Sequence, residues 1–237
     1  MSASPCTSLA FLCGSALAER LRAARTLAVL PFETPWGRLI LAAAGDVLLL
    51  CDWLENRYFP AHAKRIEETC EAFWGGGPEH RLEALEAFCR AMRSGSAWRF
   101  PNKGHENPAH ACLGVAADWL ERYLLDARRP LPALSLGLLG TDGQCRIWAA
   151  LSGIAPGETV SYGQFALRAG VGSARAAGQA VGRNAFSILL PCHRVVGSTG
   201  AATGYAGGLA AKRGLLAHEG VRLTSARSDM DAGRRSC

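Results

Sequence analysis

An apolar run from Leu39 to Cys51 is interrupted only by Gly45-Asp46. Gly-Asp in mid-run is a turn signal, so residues 37–51 read as two strands of a hairpin, with a further strand at residues 29–32. The run is shorter than the ~20 apolar residues a membrane span needs, and no longer one occurs, which argues against a membrane partner. The chain has 237 residues, 49% of them hydrophobic and 19% charged. At ~150 residues per domain that is one large or two small domains with an ordinary globular core. Such a chain needs no disulfide scaffold, and the mix excludes a wholly disordered or collagen-like protein.

The first half mixes strands and helices. Residues 61–74 read as a helix that stops at Gly75-Gly76-Gly77-Pro78, and residues 80–92 as another, with Leu82, Leu85, Phe88 and Met92 spaced for one side. Residues 93–110 read as loop. Residues 113–125 form an amphipathic pattern in which Val115, Ala116, Trp119, Leu120 and Tyr123 share a face. An extended linker at 128–132 follows. Residues 143–154, 161–169 and 173–182 then read as helices, the last two joined by Gly170-Val171-Gly172, with Ser173 as N-cap. Helix, short glycine turn, helix is the helix-turn-helix outline. Ser173, Ala174, Arg175, Ala176, Ala177 and Gly178 open the last helix. Side chains that small suit either close approach to a partner or tight helix packing. The expected organisation is an extension over 1–28 with a short helix at 16–25, an α/β part over 29–127, a mostly helical part over 133–223 and a basic tail over 224–237.

Charge divides the chain in the same place. Residues 1–110 are balanced, and residues 111–237 carry the whole net charge of +6. Between 161 and 222 stand Arg168, Arg175, Arg183, Arg194, Lys212, Arg213 and Arg222, with Glu219 the sole acid. A basic half beside a neutral one suits a polyanion such as nucleic acid, or simply a solvated face. The nine cysteines are scattered, without C-x-x-C or metal-ligand spacing, so no metal site is expected. Unpaired thiols in apolar surroundings fit a reducing cytoplasm, and no signal peptide is read at the N-terminus.

The chemistry concentrates in residues 188–196. An apolar strand is expected to run into Pro191-Cys192-His193-Arg194 and out through Val195-Val196. Charge beside a thiol can lower its pKa and favour the reactive thiolate. His218-Glu219 offers a carboxylate that could orient an imidazole, as a nucleophile–base–orienter relay requires. Neighbours in an extended chain point apart, so a water between Cys192 and His193 is more plausible than a direct pair.

These residues resemble the O6-alkylguanine-DNA alkyltransferases (methylated-DNA–protein-cysteine methyltransferases). The resemblance rests on Pro191-Cys192-His193-Arg194-Val195-Val196, Gly200, Gly204-Tyr205-Ala206-Gly207-Gly208-Leu209, Lys212 and Leu215–Gly220. Upstream, Gly140-Thr141, Gln144, Trp148–Leu151, Gly157, Ser161-Tyr162, Arg175 and Asn184 fall in register. It covers residues 112–222 well and residues 30–60 loosely. It implies an α/β (α+β) protein: a small RNase H-like sheet-and-helix domain and a helical domain with the helix-turn-helix. It implies direct-reversal DNA repair, by irreversible, single-turnover transfer of the alkyl group of O6-alkylguanine, or of O4-alkylthymine, to Cys192. The base is flipped out for this, because its alkyl carbon is unreachable inside a stacked duplex. Cys192 matches the acceptor, His193 its base through water, Glu219 the orienting carboxylate, Asn184 the support of the turn, and Tyr162 the residue that protonates guanine N3. Arg175 matches the finger that fills the gap left by the base. Ser173, Ala174, Ala176, Gly178 and Arg183 accompany it on a helix that enters the minor groove of double-stranded DNA. Val195, Tyr205, Ala206, Gly207 and Ser187 match the substrate pocket. No cofactor or metal and a monomeric state are implied.

The chain departs from the family at Gly143, where Phe is usual, and at Ala185 and Ser187, where Pro is common. Ser187 is expected to widen or soften the pocket and so to alter tolerance for larger alkyl groups. The main alternative is a non-catalytic alkyl-lesion binder of the alkyltransferase-like type, against which Cys192 stands. A two-part transcriptional regulator would need a zinc-binding Cys cluster, and a Cys hydrolase an oxyanion motif beyond Gly207-Gly208.

Overall fold

The computed structural model describes residues 9–24, 27–74 and 108–223. Strands β2 (Leu27–Thr34), β3 (Gly37–Ala44) and β4 (Val47–Trp53) form an antiparallel meander. The expected hairpin is there, turning at Gly45 with φ 57°. Two short strands, β1 (Ala10–Leu12) and β5 (Ser135–Gly137), extend the sheet in parallel, giving the order β1-β5-β4-β3-β2.

Why the strands read as one apolar run is clear from the packing. The sheet is covered on both faces, so neither side of β3 or β4 needs polar residues. Leu39, Leu41, Ala43 and Leu48 face α3 (Pro108–Leu125) and the C-terminal part. Ile40, Ala42, Ala44, Val47 and Leu49 face α1 (Gly14–Ala23) and α2 (Phe59–Trp74). A bulge between Ala42 and Ala43 shifts the register and leaves Leu49 and Leu50 on the same side.

The regular structure of residues 133–223 is mainly helical: α4 (Asp142–Leu151), α5 (Tyr162–Arg168), α6 (Ala174–Val181) and α7 (Leu209–His218). The short parallel pair β6 (Val160–Ser161) and β7 (Val195–Val196) ties the site segment to the start of α5. Capping boxes open α4 (Thr141 with Gln144) and α5 (Ser161 with Gln164), and the Ser173 side chain caps α6. The α/β class and the helix-turn-helix outline are both present.

Several expectations need correction. Residues 10–23 are not an appendage but supply an edge strand and a helix whose Leu17 and Leu21 are buried. Residues 108–110, read as loop, begin α3, because Pro is tolerated in a first helical turn. Val115 is 43% exposed and lies off the buried stripe of Ala116, Trp119, Leu120 and Tyr123. The helix expected at 80–92 and the basic tail lie outside the described residues. No described helix is long and apolar enough to cross a membrane.

The meander meets the C-terminal part through two tryptophans seated on glycines. A Cβ at Gly207 would collide with the Trp53 ring, and one at Gly214 with the Trp36 ring. The backbone adds a link, as Cys51 N–H donates to the Ala185 carbonyl at 2.9 Å. At Gly143, by contrast, an added Cβ meets nothing within 4 Å. Gly207→Ala and Gly214→Ala are therefore expected to destabilise the protein by about 1–3 kcal/mol each through overpacking. Gly143→Ala should stabilise it by up to about 1 kcal/mol, as alanine replaces glycine in a helix. Urea unfolding midpoints of the three variants check this.

Candidate active site

Residues 188–190 are buried but form a turn rather than the expected strand. Ile188 has φ 71°, a left-handed conformation that a β-branched residue adopts only when its surroundings force it. Asn184 holds this turn. Its Oδ1 accepts from Phe186 N–H at 3.0 Å, and its Nδ2 donates to the Leu190 carbonyl at 2.8 Å and to Cys192 Sγ at 3.2 Å. Cys192 then opens a single 3-10 turn, Cys192–Arg194.

Cys192 and His193 have separate partners, Asn184 at the thiol and Glu219 at the imidazole. His193 is fully buried, and its Nε2 bonds Glu219 Oε1 at 2.9 Å. Glu219 also accepts from Arg194 Nε at 2.9 Å, Arg194 Nη2 at 2.8 Å and the Tyr123 hydroxyl at 2.8 Å. Burial pushes the Glu219 carboxyl up, but the hydrogen bonds from His193 and Arg194 win and hold it well below the usual range. Burial keeps His193 below its ordinary value, against the pull of Glu219, so the ring is neutral at pH 7. With an ionised carboxylate at Nε2, the proton belongs there, and Nδ1 carries the lone pair. His193 Nδ1 is the one buried side-chain polar atom among the described residues without a hydrogen-bond partner.

The Cys192 thiol does not gain acidity from its neighbours in sequence. Arg194 is spent on Glu219 and on the Ile154 carbonyl. Burial dominates and pushes the thiol up to about 11, with Asn184 and Lys212 acting the other way. At rest it is a protonated thiol, not a thiolate.

Tyr162 and Tyr205 lie close to the thiol, and Ser187 lines the cleft beside it. The Tyr162 hydroxyl donates to the Gly204 carbonyl at 3.0 Å. Lys212 is buried, donates to the carbonyls of Val195 (2.6 Å) and Thr203 (2.8 Å), and is brought down by burial to about 8. Asn56, Ser187, Tyr205, Ala206 and Gly207 line the cleft beside Cys192. The cleft is narrow, leaving a water molecule ≈ 10 Å³ of free room, about what one water needs. Ser187 is 2% exposed, and its hydroxyl donates to Asp52 Oδ1 at 2.9 Å.

On the outer face, Ser173, Ala174, Arg175 and Ala176 of the α6 start and Arg183 beyond its end are exposed. The packing reading of the small residues holds at two positions. Ala177 is fully buried, and a Cβ on Gly178 would touch the Tyr162 ring at 3.4 Å, so these two serve packing onto α5. Among the described residues no cluster of three or more His, Cys, Asp or Glu is placed to hold a metal.

Sequence reasoning missed Asp52, Trp53, Asn56 and Tyr123 and gave Arg194 no partner. The signal at Asp52 was available: a lone acid directly after the apolar run that fills β4.

A helix-turn-helix packed beside a buried thiol and a His–Glu pair defines a DNA-binding protein with thiol chemistry at its centre. The family model described as "6-O-methylguanine DNA methyltransferase, DNA binding domain" matches residues 142–221. A methylated-DNA–protein-cysteine methyltransferase of Mycobacterium tuberculosis is 43% identical over 123 residues, 52% of this chain and 74% of the relative. The protein of that name from Salmonella typhimurium is 40% identical over 125 residues, 52% of this chain and 73% of its own length. The crystal structure of Mycobacterium tuberculosis OGT in complex with DNA is 32% identical, covers 82% of this chain and 93% of that one, and superposes with a TM-score of 0.54. The chain belongs to the methylated-DNA–protein-cysteine methyltransferase family.

Glu219→Gln leaves Arg194 buried without its counter-charge and is expected to cost about 3–5 kcal/mol at pH 7. Because the folded-state pKa of Glu219 is depressed, its contribution is present above the unfolded value of about 4.3 and is lost as pH falls towards the folded one. Acid unfolding below pH 4 should accordingly be shallower in the variant than in the parent, as followed by circular dichroism.

Proposed function

We propose that this protein repairs alkylated DNA directly, accepting the alkyl group of O6-alkylguanine on Cys192 once per molecule. The observation that carries this reading is the buried Cys192 thiol, held by Asn184, beside a neutral His193 whose Nε2 is fixed on Glu219 and whose Nδ1 is free. One water between Nδ1 and Sγ completes a path for the thiol proton. Sγ then attacks the alkyl carbon, the bond from that carbon to O6 breaks, and a thioether forms. Guanine leaves with one proton in place of the alkyl group, matching the proton lost by the thiol. Tyr162 is the donor proposed for N3; burial raises its hydroxyl to about 12, so it holds its proton until the leaving base needs it. A thioether has no easy hydrolytic route back, which makes the transfer irreversible.

A cleft this narrow does not admit a purine. In this reading the 203–208 segment, held by Tyr162 and Lys212 through the Thr203 and Gly204 carbonyls, yields as the flipped base enters. Val195 O is then freed from Lys212 for the exocyclic amine, and the Ala206 N–H and the Tyr205 ring meet the base. Residues 133–223 form the DNA-binding and acceptor part. Ser173, Ala174, Arg175 and Ala176 enter the minor groove, Arg175 fills the gap left by the base, and Arg183 sits by a phosphate. Gly178 contributes by letting Tyr162 lie close. The protein acts as a monomer, and its free thiols suit the cytoplasm.

The test is mass spectrometry after mixing the protein with duplex DNA containing O6-methylguanine. One methyl per molecule on the Cys192 peptide, absent from Cys192→Ala, is the expected result. Tight lesion binding without transfer would favour the non-catalytic binder. Arg175→Ala should slow repair of duplex DNA by about tenfold or more while leaving the reaction with free O6-benzylguanine base unchanged, since only the duplex has to be opened. Single-turnover rates on the two substrates check this.

A further inference from the structure

The wall of the cleft opposite Cys192 is organised from one corner of the N-terminal sheet. At the end of β4, the Asp52 side chain is fully buried, yet among the described residues no Lys or Arg forms an ion pair with it. It is instead surrounded by donors: Trp53 N–H at 2.9 Å, Asn56 Nδ2 at 2.9 and 2.7 Å, Ser187 Oγ at 2.9 Å, and His62 Nδ1 at 3.1 Å from Oδ2. Two of those donors, Asn56 and Ser187, line the cleft, while Asp52 does not reach it. The next residue, Trp53, donates its Nε1 to the Tyr205 hydroxyl at 3.0 Å, and Tyr205 also lines the cleft. Two consecutive residues thus hold three groups of the wall, and their own places are fixed by the strand and by the Gly207 socket.

This arrangement also fixes where hydrogens point. An ionised Asp52 can only accept, so Ser187 must give its proton to Asp52 and present lone pairs to the cleft. Asn56 gives its amide protons to Asp52 and accepts from Tyr58 N–H at 2.8 Å, so it cannot turn over. The Tyr205 hydroxyl, with its oxygen engaged by Trp53, faces Ser187 and the Cys192 sulfur. Ser187, which departs from the proline common in the family, is what links Asp52 to the acceptor turn.

We propose that Asp52 is a positioning residue for alkyl transfer: through Ser187 and Asn56 it sets the shape and polarity of the alkyl pocket and places a fixed negative charge behind the acceptor thiol. The proposal rests on Cys192 being the acceptor. The charge opposes thiolate formation in the closed cleft, together with burial, while Lys212 of α7 acts the other way. The remaining groups around Cys192 are Tyr162 of α5, Tyr205 of the 203–208 segment, and His193 and Arg194 of its own turn, the last two committed to Glu219.

The experiment compares the full chain with Asp52→Asn and Ser187→Ala. Cys192 alkylation is followed against pH with iodoacetamide, and single-turnover repair is measured on duplexes carrying O6-methylguanine or O6-benzylguanine. Asp52→Asn removes the charge, so the midpoint of its alkylation profile should fall by about one pH unit, the scale of a unit charge acting within a buried site. Ser187→Ala keeps the charge, so its midpoint should stay in place. Both should change the methyl-to-benzyl rate ratio by about fivefold or more, since both release the wall. A purely structural role would lower stability and all rates without moving the midpoint or the ratio, and that result overturns the proposal. If Asp52→Asn does not fold, Ser187→Ala and Asn56→Ala decide: unchanged rate ratios in both overturn it. Failure of the chain itself to take up any alkyl group on Cys192 from DNA would instead overturn the repair reading.

Discussion

Glu219 places one negative charge beneath the surface where the C-terminal end of α7, the Cys192–Arg194 turn and helix α3 converge. An isolated carboxylate there would be untenable, and the surrounding chain is arranged to supply its donors. Tyr123 reaches it from α3, His193 and Arg194 from the turn, and Gly157 N–H from the loop after α4, at 3.4 Å. Arg194 is held in turn by the Ile154 carbonyl. The same contacts that make the charge tolerable also fix the imidazole tautomer and turn its free nitrogen away from Glu219. Stability and reactivity here are two readings of one hydrogen-bond set.

Asp52 is the second buried carboxylate near the thiol, and the contrast is informative. Glu219 is matched by an arginine, whereas Asp52 is matched by neutral donors and the largely buried His62. In the proposed reaction the first supports the group that takes a proton, and the second supports the walls between which the substrate is held. One sits in the C-terminal part, the other at the end of a strand more than a hundred residues earlier in the chain. The sheet is therefore part of the site, a role that neither its composition nor its neutral charge suggested.

Much of this was legible beforehand. The hairpin followed from Gly45-Asp46 inside an apolar run, the helix-turn-helix from its glycine turn and Ser173, and the centre from Cys192, His193 and Glu219. These are local signals, or motifs with little freedom. What was misread depends on long-range partners. Residues 188–190 look like a strand because they are apolar, but Asn184 and the bridge from Phe186 to Cys51 fold them into a turn. Arg194 looked like a neighbour that would acidify the thiol, and only the fold shows that its guanidinium is taken by Glu219. Residues 10–23 looked peripheral because three-residue strands leave no periodicity to read.

The thiols carry a consequence for survival in a poisoned cell. Burial raises Cys51, Cys70, Cys112 and Cys192 alike, so each stays protonated at neutral pH and presents no anion to solvent. Small electrophiles in solution, the same reagents that alkylate DNA, find these sulfurs both shielded and weakly nucleophilic. In the proposed reaction, a protein spent once on Cys192 is thereby less readily spent on free reagent than an ionised thiol would be.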